Sequence, residues 1–286
     1  MKTLKLTLLC CLLSAFTFAD VSKTEKDALI ALYNTANGKE WNNTWDLDKS
    51  VSEWYGITLE NDKVIAINLS FNNLKGSLPS EISQLTALKE LNLSFNKLNG
   101  QLPKSITSLE NLEVLKLFSN GFSGAIPKDI GNLKNLKHLE LYNNDFFGEV
   151  PESIGNLTKL ESLILSSNQL MGRLPSTISN LKSLKVLSLF DNSFLGTIPR
   201  AIGELTELEE LVLSNNAFYG SIPGELAELS NLKTLLLGNN SFKGNYAYLK
   251  EQFPNLVDFD LDKDNMEGEL ATLDEEEDDD DDESDD

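Results

Sequence analysis

Cysteine occurs only at Cys10 and Cys11 in the 286 residues, and histidine only at His138. Both cysteines lie in a stretch that reads as a secretory leader. Lys2 and Lys5 give a positive start, Leu6 to Phe18 is apolar, and Ala19 is a small residue suited to cleavage. Neither cysteine ends that stretch after a small residue, so a lipoprotein anchor does not fit. A mature chain from Asp20 contains no cysteine, which excludes a disulfide framework, a thiolate nucleophile and a cysteine-ligated metal. A single histidine with no serine or threonine beside it in a recognisable motif leaves no triad. The expected product is not an enzyme and needs no cofactor or metal. The apolar stretch falls short of the roughly 20 residues of a membrane span, and no second candidate follows. The chain is expected to be secreted, whether extracellular, at a cell surface or periplasmic.

Basic residues are scarce, 24 against 45 acids. Of the 13 residues from Asp274 to Asp286 twelve are acidic, and the remaining 33 acids leave the body at −9. No basic patch suggests nucleic acid or an anionic membrane surface as a partner. The tail, residues 274–286, has no apolar side chain and is expected to be disordered.

What the sequence has instead is a strict repeat of 24 residues. Asparagine recurs at Asn72, Asn96, Asn120, Asn144, Asn168, Asn192, Asn216 and Asn240, followed by Asp264. Glycine keeps the same step from Gly76 to Gly268, leucine fills all nine positions from Leu69 to Leu261, and proline runs from Pro79 to Pro223. Within one unit, Leu91 and Leu93 alternate with Glu90, Asn92 and Ser94, the period of a strand with one buried face. Leu98, Leu102, Ile106 and Leu109 follow at wider spacing as ribs from the opposite side. One such unit cannot bury enough surface to offset its ordering entropy, so the repeats must stack. An inward amide, with donors and an acceptor, suits backbone groups stranded where the chain bends off each strand. Asp264 lacks donors, which predicts a weaker last rung.

The repeats run over 64–273, as eight full units and a partial ninth that ends in a cap; Ala247 replaces the proline there and Lys250 the aliphatic. Residues 20–63 form an N-terminal cap. Ser22 and Glu25 make a capping box, and Leu29, Leu32, Tyr33 and Ala36 make one apolar helix face. Trp41, Trp45 and Trp54 are expected to cover the first repeat. The columns together resemble plant-type leucine-rich repeats of 24 residues. The cap departs from the plant pattern: Trp54, Gly56 and Ile57 fit, but Ser52 and Leu59 stand where that pattern has bonded cysteines, so the chain is most similar to cysteine-free secreted bacterial members. The resemblance implies an α/β solenoid, a right-handed leucine-rich-repeat superhelix with a concave parallel β-sheet, a helical cap and partner recognition on the concave face.

Reading the open positions column by column places Val114, Phe118, His138, Tyr142, Ile164, Val186, Phe190, Val212 and Leu236 toward solvent in the middle repeats, with polar residues at both ends. Grouped exposed apolar residues mark interaction surfaces. Nine strands about 4.8 Å apart and three columns give a face of roughly 760 Å², close to the about 800 Å² of one side of a protein interface. These residues predict a protein-binding module of adaptor, adhesin or inhibitor type. The alternative is carbohydrate binding, with Phe118, Tyr142 and Phe190 as stacking platforms. Asp258, Asp260 and Asp262 line the last strand; an EF-hand from Asp260 fails because its twelfth position is Ala271. The sequons at Asn68 and Asn92 face the same side.

Overall fold

A computed structural model describes residues 21–246 and 249–262. The expected leader, the acidic tail and Asp264 lie outside these residues.

Helix α1 (Lys23–Thr35) starts at the N-cap Ser22, whose hydroxyl accepts from the Glu25 amide at 3.3 Å and donates to Glu25 Oε2 at 3.0 Å. Lys63 Nζ approaches the same buried carboxylate at 3.4 Å. The helix buries Leu29, Leu32 and Tyr33. Behind it Trp41, Trp45 and Trp54 are buried and ring-packed, with Trp45 stacked on Trp54 at 4.7 Å between centroids. Their indole N–H groups donate to the carbonyls of Ala36, Tyr55 and Asp46, which satisfies the one polar atom each ring brings inside. Strand β1 (Ile57–Glu60) pairs antiparallel with β2 (Lys63–Asn68) and carries the edge of the main sheet into the N-terminal segment. The bend before β1 needs Gly56, whose φ is +77°; a Cβ there would stand 2.1 Å from the Asn68 carbonyl oxygen.

From β2 onward each repeat adds one short parallel strand in a register of 24, such as Ser162↔Val186 and Leu163↔Leu187, giving a ten-stranded sheet. The inner residue of each three-residue strand is a fully buried leucine, except in the last, Asp258–Asp260, where it is the partly buried Phe259. The asparagine column behaves as the sequence predicts. Asn168 accepts from the Phe146 amide at 3.0 Å and donates to the carbonyls of Leu141, Leu165 and Ser166 at 3.0–3.2 Å. Asn96, Asn120, Asn144, Asn192, Asn216 and Asn240 repeat this pattern, whereas the first rung, Asn72, bonds Asn43 of the N-terminal segment. At the far end Asp262 accepts from the amides of Asn239 and Asn240, while the expected last rung, Asp264, lies outside the described residues.

Two features go beyond the sequence reading. After each asparagine the chain forms a second strand, such as Asp145–Gly148 or Gln169–Gly172, and these build an eight-stranded parallel sheet along the flank. Its inward residues, among them Phe146, Leu170 and Phe194, are fully buried. The proline then leads, at φ −61° to −77° in most repeats, into a 3₁₀ turn such as Lys104–Ser108, which closes the core from the convex side with Ile106.

The residue before each of the seven middle strands of the main sheet alternates in sign: Lys89, Glu113, Lys137, Glu161, Lys185, Glu209, Lys233. Lys137 pairs with Glu113 at 2.6 Å, Lys185 with Glu161 at 3.0 Å, Lys233 with Glu209, and Lys89 with Glu60 at 3.0 Å. The hydrogen bond from its lysine holds each of Glu113, Glu161 and Glu209 below the usual carboxylate range. Such exposed pairs contribute little singly but set a row of alternating charge along the rim.

Replacing Asn168 with Ala is expected to destabilise the chain by about 1–3 kcal/mol, read as a lower denaturation midpoint, because buried backbone groups lose their partner. A carboxylate with a depressed folded pKa adds stability above its unfolded pKa and loses it as pH falls through the folded value. Acid titration should therefore remove the contribution of the rim pairs below about pH 4.5, the ordinary glutamate value. The triple substitution E113Q/E161Q/E209Q should flatten that acid limb, and an unchanged slope would count against the pairing.

Candidate functional site on the concave face

The sheet presents its outward columns as the period predicts: Val114, His138, Tyr142, Ile164, Val186, Val212 and Leu236 are half-buried among their neighbours, and Phe190 is 37% exposed. Phe118 departs from expectation. It is only 9% exposed, because Tyr142 stacks on one face of its ring at 4.2 Å and 9°, while Phe95 meets it edge-on at 5.0 Å and 84°. A sugar platform needs an open ring face. Phe118 has none to offer, and Tyr142 has one face covered.

The ring packing continues into residues that column reading missed. Phe71 and Phe95 follow their strands in left-handed backbone, at φ +55° and +53°. The same position elsewhere holds Ser119, Asn143, Ser167, Asp191, Asn215 and Asn239. Asparagine and aspartate tolerate this region, whereas a bulky ring is strained there. Phe71 and Phe95 nonetheless stack at 4.0 Å and 16°, and are 64% and 42% exposed. Phe71, Phe95, Phe118 and Tyr142 thus make one aromatic ladder across four consecutive repeats. A fourth column, read one residue past the third, would have revealed its first two members.

Polar groups border the ladder. Lys116 and Glu140 form an ion pair at 3.0 Å, and the Tyr142 hydroxyl is pushed up by burial and by the Glu140 carboxylate. Asn68 and Asn92 commit their side-chain oxygens to Ser70 and Ser94. Farther along, the Ser166 and Ser188 hydroxyls lie 2.7 Å apart. His138 sits between Val114 and Ser162 in the register. At the C-terminal end the three aspartates divide their roles. Thr234 donates to Asp258 at 3.4 Å, Asp260 is exposed, and Asp262 is used by the backbone. Among the described residues no group of three or more acidic, histidine or cysteine side chains is placed to hold a metal ion. Among them, too, no helix is long and apolar enough to cross a membrane.

Comparison with known proteins agrees with this architecture. Residues 120–257 match the family described as a leucine-rich repeat region, and residues 63–85 and 87–109 match the leucine-rich repeat. A probable leucine-rich repeat receptor-like protein kinase of Arabidopsis thaliana is 40% identical over 79 residues, which are 27% of this chain and 7% of that protein. The ectodomain of the Arabidopsis receptor kinase GASSHO1/SCHENGEN3, solved with CASPARIAN STRIP INTEGRITY FACTOR 2, is 32% identical, with a TM-score of 0.74 over 84% of this chain and 29% of that one. The HAESA ectodomain from Arabidopsis, solved with an IDA peptide hormone, is 31% identical with a TM-score of 0.73 over 83% of this chain and 40% of its own. A plant ice-binding protein, 24% identical, shares the fold alone, with a TM-score of 0.76 over 85% of this chain and 80% of its own. The chain spans well under half the length of the receptor relatives. With repeat-family matches over residues 63–85, 87–109 and 120–257, and 24-residue units stacked into one parallel sheet, it is a leucine-rich-repeat protein.

Proposed function

We propose that this is a secreted recognition module that binds a protein or peptide on its concave face, as an adaptor, adhesin or enzyme inhibitor. The observation that carries the reading is the aromatic ladder. Phe71 and Phe95 are retained in backbone that disfavours them and are left exposed, so neither core packing nor local conformation accounts for them. Phe190, Ile164, Val186, Val212 and Leu236 extend the apolar surface, and Val114, His138 and Tyr142 link it to the ladder, with Phe118 as backing rather than contact. The HAESA ectodomain that shares the fold was solved with a peptide hormone, which supports a peptide-sized or larger partner. The carbohydrate alternative is weakened by the covered faces of Phe118 and Tyr142, which leave Phe190 as the more open ring of the three.

Affinity capture with the full chain from the secretome of its source, followed by titration, tests this directly. Tyr142→Ala with Phe190→Ala should weaken binding by roughly 30-fold or more, since truncated aromatic anchors commonly cost at least about 2 kcal/mol. The fold should persist by circular dichroism, and a folded double variant that binds at full affinity would place recognition elsewhere. Phe71→Asn with Phe95→Asn offers a second test. Relief of about 1–2 kcal/mol of left-handed strain per residue offsets about 0.5–1.5 kcal/mol of ring stacking, so the thermal midpoint should hold or rise while binding falls.

A further inference from the structure

The flank sheet carries a second exposed apolar group, separate from the concave face. Phe147, Met171, Leu195 and Tyr219 are repeat-equivalent, lie on the outward side of four consecutive strands, and are each 42–48% exposed. The equivalent positions before them are Lys75, Asn99 and Ser123, and the one after is Lys243, so the group is bounded at both ends. In this sheet the register is 22 rather than 24: Phe147 stands opposite Gln169, Met171 opposite Ser193, Leu195 opposite Ala217 and Tyr219 opposite Ser241. The four side chains therefore form a diagonal stripe, at about 7–8 Å per step and roughly 22 Å long. Strand preference favours such residues individually but does not confine them to four adjacent units with polar ends.

Charge is ordered along the stripe as well. Glu149 lies against Gly172 beside Met171, Arg173 lies against Gly196 beside Leu195, and both are exposed. Neither takes part in an ion pair among the described residues. Glu149, Met171, Arg173 and Leu195 also border one shallow depression of about 560 Å³. Toward the Phe147 end lies Asp145, paired in register with Ser123; beyond Tyr219 lies Lys243.

From this arrangement we infer that the flank stripe binds a second copy of the same chain, antiparallel and about a two-fold axis between Met171 and Leu195. A two-fold interface must be complementary to itself. Reversing the stripe sets Phe147 against Tyr219 of the other copy and Met171 against its Leu195. The same rotation keeps the two flanks on their own sides, which brings Glu149 to the other copy's Arg173 and Lys243 toward its Ser123 and Asp145. Each contact occurs twice. A stripe of this length with its flanking columns covers about 400 Å² per copy, half of the about 800 Å² of a standard interface, so the association is reversible and concentration-dependent. Both concave faces stay open.

Sedimentation velocity of the full chain over a roughly hundredfold concentration range tests the inference, with circular dichroism on each variant. The wild type should shift from monomer to dimer. Glu149→Arg and Arg173→Glu should each raise the dissociation constant about tenfold or more, and E149R/R173E together should restore it to within about threefold. Met171→Asp with Leu195→Asp should leave a folded monomer; if that variant does not fold, the charge-exchange pair still decides. Y142A/F190A should dimerise like the wild type, which separates this surface from the concave one. A wild type that stays monomeric to roughly millimolar concentration, a dimer that survives M171D/L195D, or a double exchange that fails to restore association overturns the inference.

Discussion

The interior asparagine column is the constraint on which the rest of the solenoid depends. A chain that turns off a three-residue strand and at once starts another leaves amides and carbonyls facing the core, where water cannot reach them. Each asparagine meets several of these groups at once and reaches into the preceding repeat, as Asn168 does with Phe146 and Leu141. The repeats are therefore joined by polar contacts with fixed geometry as well as by leucine packing. Beside the last of them the Asp262 carboxylate accepts from Asn239 and Asn240, but once ionised it cannot donate to carbonyls as the amides do. Among the described residues Asn240 is the last of the reciprocal rungs.

Much of this was legible in the sequence because the period admits no slippage. Once asparagine, leucine, glycine and proline are aligned at 24, the burial of Leu91 or Ile106 and the outward direction of Tyr142 or Ile164 follow from column membership alone. The flank sheet was not legible for two reasons. Its strands are as short as two to five residues, and its register of 22 differs from that of the repeat, so vertical alignment conceals which residues face each other. The alternating lysines and glutamates before each strand were readable in principle, but only if the column was taken as a sequence of its own.

Phe118 and the pair Phe71 and Phe95 show a different limit. A column says which way a side chain departs from the backbone, and not what its neighbours do after departure. Phe118 points outward yet is buried, because two adjacent rings close over it. Phe71 and Phe95 occupy a turn position where the backbone requires positive φ, and the short polar residues used in the other repeats hide the fact that anything large could sit there. Their strain becomes visible only with the dihedral angles.

The same architecture that makes the core rigid makes the surfaces independent. Each repeat closes its interior with leucine, isoleucine, phenylalanine and asparagine, and the outward positions of either sheet contribute little to that closure. The concave ladder and the flank stripe can consequently each carry strained or exposed apolar groups without weakening the stack between them. They also face different directions, so occupation of one does not obstruct the other. If the flank joins two copies, each dimer presents two concave faces in a fixed relation, and a partner with repeated epitopes spaced to suit would be held by both. Effective concentration would then raise the strength of capture well beyond that of one face, provided the spacing of the epitopes fits. A modest flank interface and a single-site concave interaction of ordinary strength would together suffice for tight binding, without either surface having to be large.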